Sequence, residues 1–388
     1  MKNADTTRTP AQSGMIRAVL ATFGAAVRRL PGLLCSLGVA SCSSAQPPPL
    51  YIVGTPLKPV ATENAPPATS EASASSAEPS KPPPSASSGS AESKPCDCEI
   101  HRFTPPNFTP PFAATAKEGD GQWRSVGDSG LGELAATVPP QVLQTTVHPH
   151  KSKGYVSMNV VAMDLGSLKL GWVIGAKDYH AEKLVGHQTP GLVPERDQAN
   201  TLAVFNGGFQ ARHGWWGMMS DGVSIVEPRP NGCTLAIFGD ESVAIAPYAN
   251  LANDAARMQA FRQSPPCLII DGALHPDLER GQRKAWAGQN AALKTRRRSA
   301  AGITRDGKTL FFAIGNETEP DDLARGLLAA GAQSALQLDI NWAWARFLLV
   351  GRRDELPRLT SSLLPEALYG KSECFARPSD RDFFYVYR

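Results

Sequence analysis

Beyond residue 150 the apolar positions fall in short runs separated by Gly, Pro, Asn and Asp. Residues 155–164, 201–205, 267–270, 309–314 and 335–341 are rich in Val, Ile, Leu and Phe, and 299–303 is a small apolar run. Runs this short with β-branched and aromatic residues predict buried strands. The segment 168–174 reads as a hairpin partner of 155–164. Residues 223–226, 233–238 and 242–246 read as further short strands, the last two joined by a Gly239-Asp240 turn. Arg305-Asp306-Gly307-Lys308 is the turn of another hairpin.

Two segments carry a helical period instead. Leu251, Ala255, Met258 and Phe261 predict a helix over 251–263, stopped by Pro265-Pro266. Glu319-Pro320-Asp321-Asp322 opens a second helix, with its acidic residues where the helix dipole favours them. Leu323, Leu327 and Leu328 give that helix an apolar face, and Gly331 ends it. Residues 383–387 form a final edge strand. The pattern predicts an α+β fold, a mixed, largely antiparallel sheet with flanking helices in one catalytic-type domain spanning 155–388.

Before that domain the composition changes twice. Arg17, Arg28 and Arg29 precede a short apolar segment, and Val39-Ala40-Ser41-Cys42 follows it. The segment is too short to span a bilayer and is read as an export signal over 1–42. The small residues before Cys42 resemble a bacterial lipobox, which makes Cys42 the expected lipidation site. Residues 43–95, with runs such as Lys81-Pro82-Pro83-Pro84-Ser85, hold almost no large apolar side chain. Such a chain cannot offset its ordering entropy and is expected to be a disordered tether. Residues 96–154 are an irregular, Pro- and Gly-rich arm. The expected location is the bacterial cell envelope, outer membrane or cell surface, with the membrane reached through the lipid anchor.

Charge and cysteines narrow the function classes. The 39 basic and 36 acidic residues nearly cancel, and a nucleic-acid partner would require a concentrated basic face. The one dense basic run is Arg296-Arg297-Arg298. Beyond the signal lie Cys96, Cys98, Cys233, Cys267 and Cys374, an odd number, so at least one thiol stays free or pairs transiently. A clip from Cys96 or Cys98 to Cys374 is one structural guess, although spacing does not determine pairing. His180, His187 and His213 share no face with a carboxylate, and a metal site is not expected there. Nothing in the sequence sets the oligomeric state.

The chemistry gathers at strand ends. Asn206-Gly207-Gly208-Phe209 closes one apolar run, and Ser220-Asp221-Gly222 follows eleven residues later, with His213 between them. Asp271-Gly272 closes a second run, Asp339 a third, and Arg298 begins a fourth. Ligands bind where strand ends and their loops converge. Paired carboxylates with an Arg suit glycosyl or phosphoryl chemistry: one carboxyl protonates a leaving oxygen, another attacks or activates water, and the Arg neutralises phosphate. Trp215, Trp216, Trp342 and Trp344 are either sugar-stacking platforms or buried core.

The order of these motifs resembles the phosphodiester glycosidase family, bacterial relatives of the lysosomal enzyme that removes N-acetylglucosamine from a sugar phosphodiester. The resemblance rests on Asn206, Gly208, Phe209, Gly217, Ser220 and Asp221, then on 268–272, then on Arg298, Gly302 and the Asp306-Gly307 turn, and finally on Leu338-Asp339. It covers about 155–350. Where the family continues Leu-Asp-Gly-Gly-Gly-Ser, this chain has Ile340-Asn341-Trp342. The resemblance implies hydrolysis of a glycosyl phosphodiester or related bond in envelope polysaccharide. Asp339 would be the acid/base or nucleophile, with Asp221 or Asp271 its partner. Arg298 would bind phosphate and Asn206 would orient sugar or water. Gly208, Phe209, Ser220, Asp271 and Asn341 would line the substrate site. No cofactor is required, and a divalent cation such as calcium beside Asp339 is compatible with the chemistry without being called for by spacing. The rival expectation is a carbohydrate-binding surface lipoprotein that keeps the fold without turnover.

Overall fold

Leu310, Phe312 and Ile314 point into one core while Phe311 and Ala313 point into another. That two-residue period makes the strand carrying them the middle of a layered structure. The computed structural model describes residues 103–126, 140–177, 191–287, 296–353, 356–362 and 377–388. All of these belong to one unit, Glu92–Arg388. The signal, Cys42, the tether, Cys96, Cys98, Cys374, His180 and His187 lie outside the described residues.

In chain order the strands are β1 (Arg124–Ser125), β2 (Val142–Val147), β3 (Met158–Asp164), β4 (Lys169–Val173), β5 (Thr201–Asn206) and β6 (Met218–Ser220). Then come β7 (Val223–Val226), β8 (Cys233–Phe238), β9 (Val243–Pro247), β10 (Met258–Ser264), β11 (Ile269–Ile270) and β12 (Ala273–Leu274). The last are β13 (Arg296–Ile303), β14 (Thr309–Thr318), β15 (Ser334–Gln337), β16 (Phe347–Arg353), β17 (Leu356–Ser362) and β18 (Phe383–Tyr387). The helices are short, α1 (Glu195–Gln198), α2 (Tyr248–Leu251) and α3 (Pro276–Glu279), apart from α4 (Pro320–Ala329).

The strands form three sheets, ordered β1-β2-β3-β14-β13-β15-β11-β12, β7-β6-β10-β8-β9 and β17-β16-β5-β18-β4. Among the described residues every pairing is antiparallel. This is the expected α+β class. One face of the eight-stranded sheet packs Phe311, Ala313 and Ala335 against Leu323 and Leu327 of α4. The helix begins as its sequence suggests, with Glu319 and Asp322 forming a reciprocal capping box. The other face packs Ala301 and Phe312 against Phe205, Phe347 and Phe384, whose rings lie 5.1–6.1 Å apart by centroid.

The structure corrects three sequence expectations. The segment 251–263 is not a helix: it turns through a 3₁₀ stretch, Ala252–Arg257, and becomes strand β10. Ala260 enters one core and Phe261 another, so burial on both faces of a strand imitates a helical stripe. Strand β4 does not pair with β3 but with β18 in a different sheet. Strand β18 is not an edge; it lies between β5 and β4. Its unbroken run Phe383-Phe384-Tyr385-Val386 is what burial on both faces demands. A disulfide joins Cys233 to Cys267, a pair that the sequence left undetermined.

Candidate functional site

Gly207 and Gly208 are small because a buried ion pair lies beneath them. Asp382 and Arg262 are both fully buried, with 2.7 Å between Oδ2 and Nε. A Cβ on Gly207 would run into the Asp382 carboxylate, and one on Gly208 would stand 2.9 Å from Arg262 Cζ. The Gly208 N–H donates to Asp382 Oδ2 at 3.0 Å. The Gly207 N–H donates to the Asp382 carbonyl at 3.0 Å. Arg262 also donates to the carbonyl oxygens of Phe209, Trp216 (3.2 Å) and Gln263 (2.9 Å). One guanidinium thereby ties both ends of the 209–216 loop to the strand below. Burying a charge is tolerable only with such saturation by partners.

Above this seat stands Asp339, two residues past β15. The Asp339 N–H donates to the Gly207 carbonyl at 3.0 Å, and Ser299 Oγ donates to the Asp339 carbonyl at 3.0 Å. The carboxylate accepts from the Asn341 N–H at 2.8 Å and forms an ion pair with Arg381. Burial pushes the Asp339 carboxyl above its ordinary range, against the opposing pull of Arg381 and the Asn341 N–H. Asn206 fastens these parts together. Its amide donates to Ser299 Oγ at 2.8 Å and to the Gly207 carbonyl at 3.0 Å, and its Oδ1 accepts from the Arg346 N–H at 3.0 Å. His213 lies within electrostatic reach of Arg381 and Asp339; partial burial, Arg212 and Arg381 lower its pKa, and Asp339 raises it.

Of the residues singled out by sequence, the structure brings Asn206, Gly208, Phe209, Asp339 and Asn341 into one group. It does not bring the others there. Arg298 and Ser299 are neighbours on β13, and strand alternation sends them to opposite faces. Ser299 meets Asn206, whereas Arg298 donates to the carbonyls of Thr318 (3.0 Å) and Trp286 (3.1 Å) and to Gln337 Oε1 (2.8 Å). Burial lowers the Arg298 pKa to about 10, and its charged neighbours are Arg296 and the acidic start of α4. Asp271 sits in the tight β11–β12 turn, where the Gly272 N–H meets the Gln333 carbonyl. Because β11 runs antiparallel to β15, Asp271 is at the end of β15 away from Asp339. Six residues at strand rise put them roughly 20 Å apart.

Ser220 and Asp221 line a different space. The β6–β7 turn carries them into a cavity of 420 Å³ with Trp172, Phe238, Gln259, Tyr385 and Tyr387. The cavity runs along β4 from Leu170 and on to Ile174, and is bordered on β18 by Tyr385 and Tyr387.

Arg381, Asp382 and Arg262 went unread in the sequence for identifiable reasons. Ser379-Asp380-Arg381-Asp382 is a charged cluster directly before an apolar strand, the mirror of the strand-end signal found elsewhere. Taking β18 for an edge hid it. Arg262 was concealed by the false helical stripe. Among the described residues no group of three or more His, Cys, Asp and Glu could hold a metal ion, and no helix is long and apolar enough to cross a membrane.

What remains is a polar group around one buried carboxyl, with a cationic partner, an imidazole within electrostatic reach and Trp342 in the loop that follows. Trp342 and Trp215 are 52% and 40% exposed. Such a group can transfer a proton or attack an electrophilic carbon beside a bound anion.

The family model for phosphodiester glycosidases matches residues 199–339, ending on Asp339. No curated protein matches the chain. Among solved structures, the catalytic domain of zebrafish N-acetylglucosamine-1-phosphodiester alpha-N-acetylglucosaminidase, auto-inhibited by its pro-peptide, is 13% identical with a TM-score of 0.41; the match covers 69% of this chain and 88% of that one. A hypothetical protein from Synechocystis is 12% identical with a TM-score of 0.39, covering 64% of this chain and 62% of that one. The matched segment 199–339, which carries Asn206, Gly208 and Asp339, is similar to the phosphodiester glycosidase family.

Proposed function

We propose that this protein hydrolyses the bond between a sugar's anomeric carbon and a phosphodiester oxygen, in envelope or extracellular polysaccharide, as an exported lipoprotein anchored through Cys42. The observation that carries the reading is the buried Asp339 carboxyl, held between Arg381 and the Asn341 N–H directly over the Asn206-Gly207-Gly208 turn. The reaction breaks the C1–O bond, adds water, and releases a free sugar hydroxyl and a phosphomonoester. The departing phosphate is already a weak base, so the barrier lies mainly in positive charge building at C1. A carboxylate beside C1 stabilises that charge or bonds to it. Asp339 takes this role, Arg381 offers its charge to the phosphate, and His213 is the second proton-transfer group. Asn206 acts as a positioning residue, since its amide is committed to Ser299, Gly207 and Arg346. No cofactor is needed for this step.

The test is turnover of defined sugar phosphodiesters by the purified full chain beside Asp339→Asn. Release of free sugar by the wild type and its loss in the variant supports the reading. Equal rates in both, or no release from any diester, sinks it. A second reading, carbohydrate binding without turnover, is favoured by the exposed Trp342 and by Ile340-Asn341-Trp342 standing where the family has glycines. Glycan binding with no sugar release would select it.

A further inference from the structure

The loop after Asp339 replaces a glycine-rich turn with bulky residues, and its geometry gives those residues a use. The loop is closed by its own hydrogen bonds. Asn341 Oδ1 accepts from the Ala343 N–H at 2.9 Å. The Asn341 carbonyl accepts from the N–H groups of Trp344 (2.9 Å) and Ala345 (3.0 Å). The far end is fastened by Arg346 to Asn206. This closed turn places Trp342 at its outer tip, 52% exposed, three residues from the Asp339 carboxyl.

An exposed indole would ordinarily fold down onto apolar surface. Here it is held in place from beneath. The buried Arg297 guanidinium lies 3.8 Å from the centre of the Trp342 ring, and its Nη1 donates to the Trp342 carbonyl at 3.1 Å. Asn316 Oδ1 accepts from Arg297 Nε at 2.8 Å, so the support is fixed in its turn. One face of the indole is taken by the cation, and half of the residue remains open to solvent. A flat aromatic face offered to solvent accepts the C–H face of a pyranose ring, which is apolar on that side and hydroxylated at its edge.

We infer that Trp342 is a stacking platform for a sugar ring of the substrate, doing by ring contact what a glycine loop would do by backbone contact. The inference rests on the hydrolytic reading and names the part of the substrate that this loop holds. Arg297 is the positioning residue that keeps the platform in place.

The experiment is a calorimetric titration of the full chain with the methyl diester of N-acetylglucosamine 1-phosphate, and separately with dimethyl phosphate, which has no sugar ring. Wild type, Trp342→Ala and Trp342→Phe are compared, with thermal melts confirming equal folding; Trp342 is exposed, so the fold does not depend on it. Trp342→Ala is expected to bind the sugar diester about 10-fold more weakly. Trp342→Phe should stay within about 3-fold of wild type, and dimethyl phosphate should bind all three alike. Sugar-diester affinity within about twofold of wild type in Trp342→Ala overturns the platform and leaves the hydrolytic reading standing. Equal weakening toward both probes overturns it as well, because the loss would then lie in phosphate contact. Absence of sugar-diester binding by the wild type removes the hydrolytic reading and the platform together.

Discussion

Asp382 and Arg262 stand 120 residues apart in sequence and 2.7 Å apart in space, with no exposed surface on either side chain. The Gly207-Gly208 turn is seated on this pair. The glycines therefore serve close approach of the backbone to a buried charge, a requirement of the fold that holds whatever the ligand.

Removing one partner leaves the other charged and buried, which costs about 3–5 kcal/mol. Arg262→Met and Asp382→Ala should each lower the urea midpoint strongly. The double replacement should be less damaging than the sum of the singles, because neither charge is then orphaned. Additive losses would show that the two side chains do not act as a unit.

Asp339→Asn keeps the size of the side chain and its acceptor for the Asn341 N–H but removes the charge facing Arg381. If Asp339 is the reacting carboxyl, kcat should fall by about 10²- to 10⁴-fold, while the affinity for a sugar diester changes far less. A loss confined to KM would assign Asp339 to binding alone.

Asp322 supplies a pH signature. Burial, despite the Glu319 N–H it accepts, pushes its carboxyl from 3.8 up to about 7. Between those values the folded protein keeps a proton that the unfolded chain has released, so stability declines as pH rises through this window and the loss is complete above about 7. Asp321 next to it behaves oppositely. Burial would raise it, but Arg283 and Arg325 bring it down to about 2, so its contribution is present above 3.8 and is lost only as pH falls toward 2. Asp322→Asn should accordingly flatten the melting temperature between pH 5 and pH 8 on the order of the wild-type decline. Parallel profiles for the two proteins would contradict this.

The Cys233–Cys267 bridge closes a loop of 34 residues. Loop-closure entropy assigns it about 3–4 kcal/mol. The double replacement by Ser should lower the melting temperature, and reduction of the wild type should reproduce the effect. A wild type unmoved by reductant would mean that the bridge does not form in solution.

Strands, turns and the α4 cap were legible in the chain because they depend on near neighbours: an apolar run between turn residues, an Asp-Gly hairpin, a Glu-Pro-Asp-Asp helix start. The same local logic marked Asn206, Gly208 and Asp339 at strand ends, and the fold does bring those three together. Local logic failed where one pattern satisfied two periods, as at 251–263, where burial on both faces of β10 looks like a helical stripe.

What only the tertiary structure decided is direction and parity. One residue of strand alternation sends Arg298 to the α4 face and Ser299 to Asn206. The antiparallel sense of β11 carries Asp271 to the end of β15 remote from Asp339. The placement of β18 inside its sheet delivers Arg381 and Asp382 from the end of the chain to the centre of the site. The sequence by itself determined which residues could carry chemistry, since side-chain type and strand-end position are local properties. Which of them meet was decided by pairing between distant strands, because register and face are set by contacts that no single segment contains.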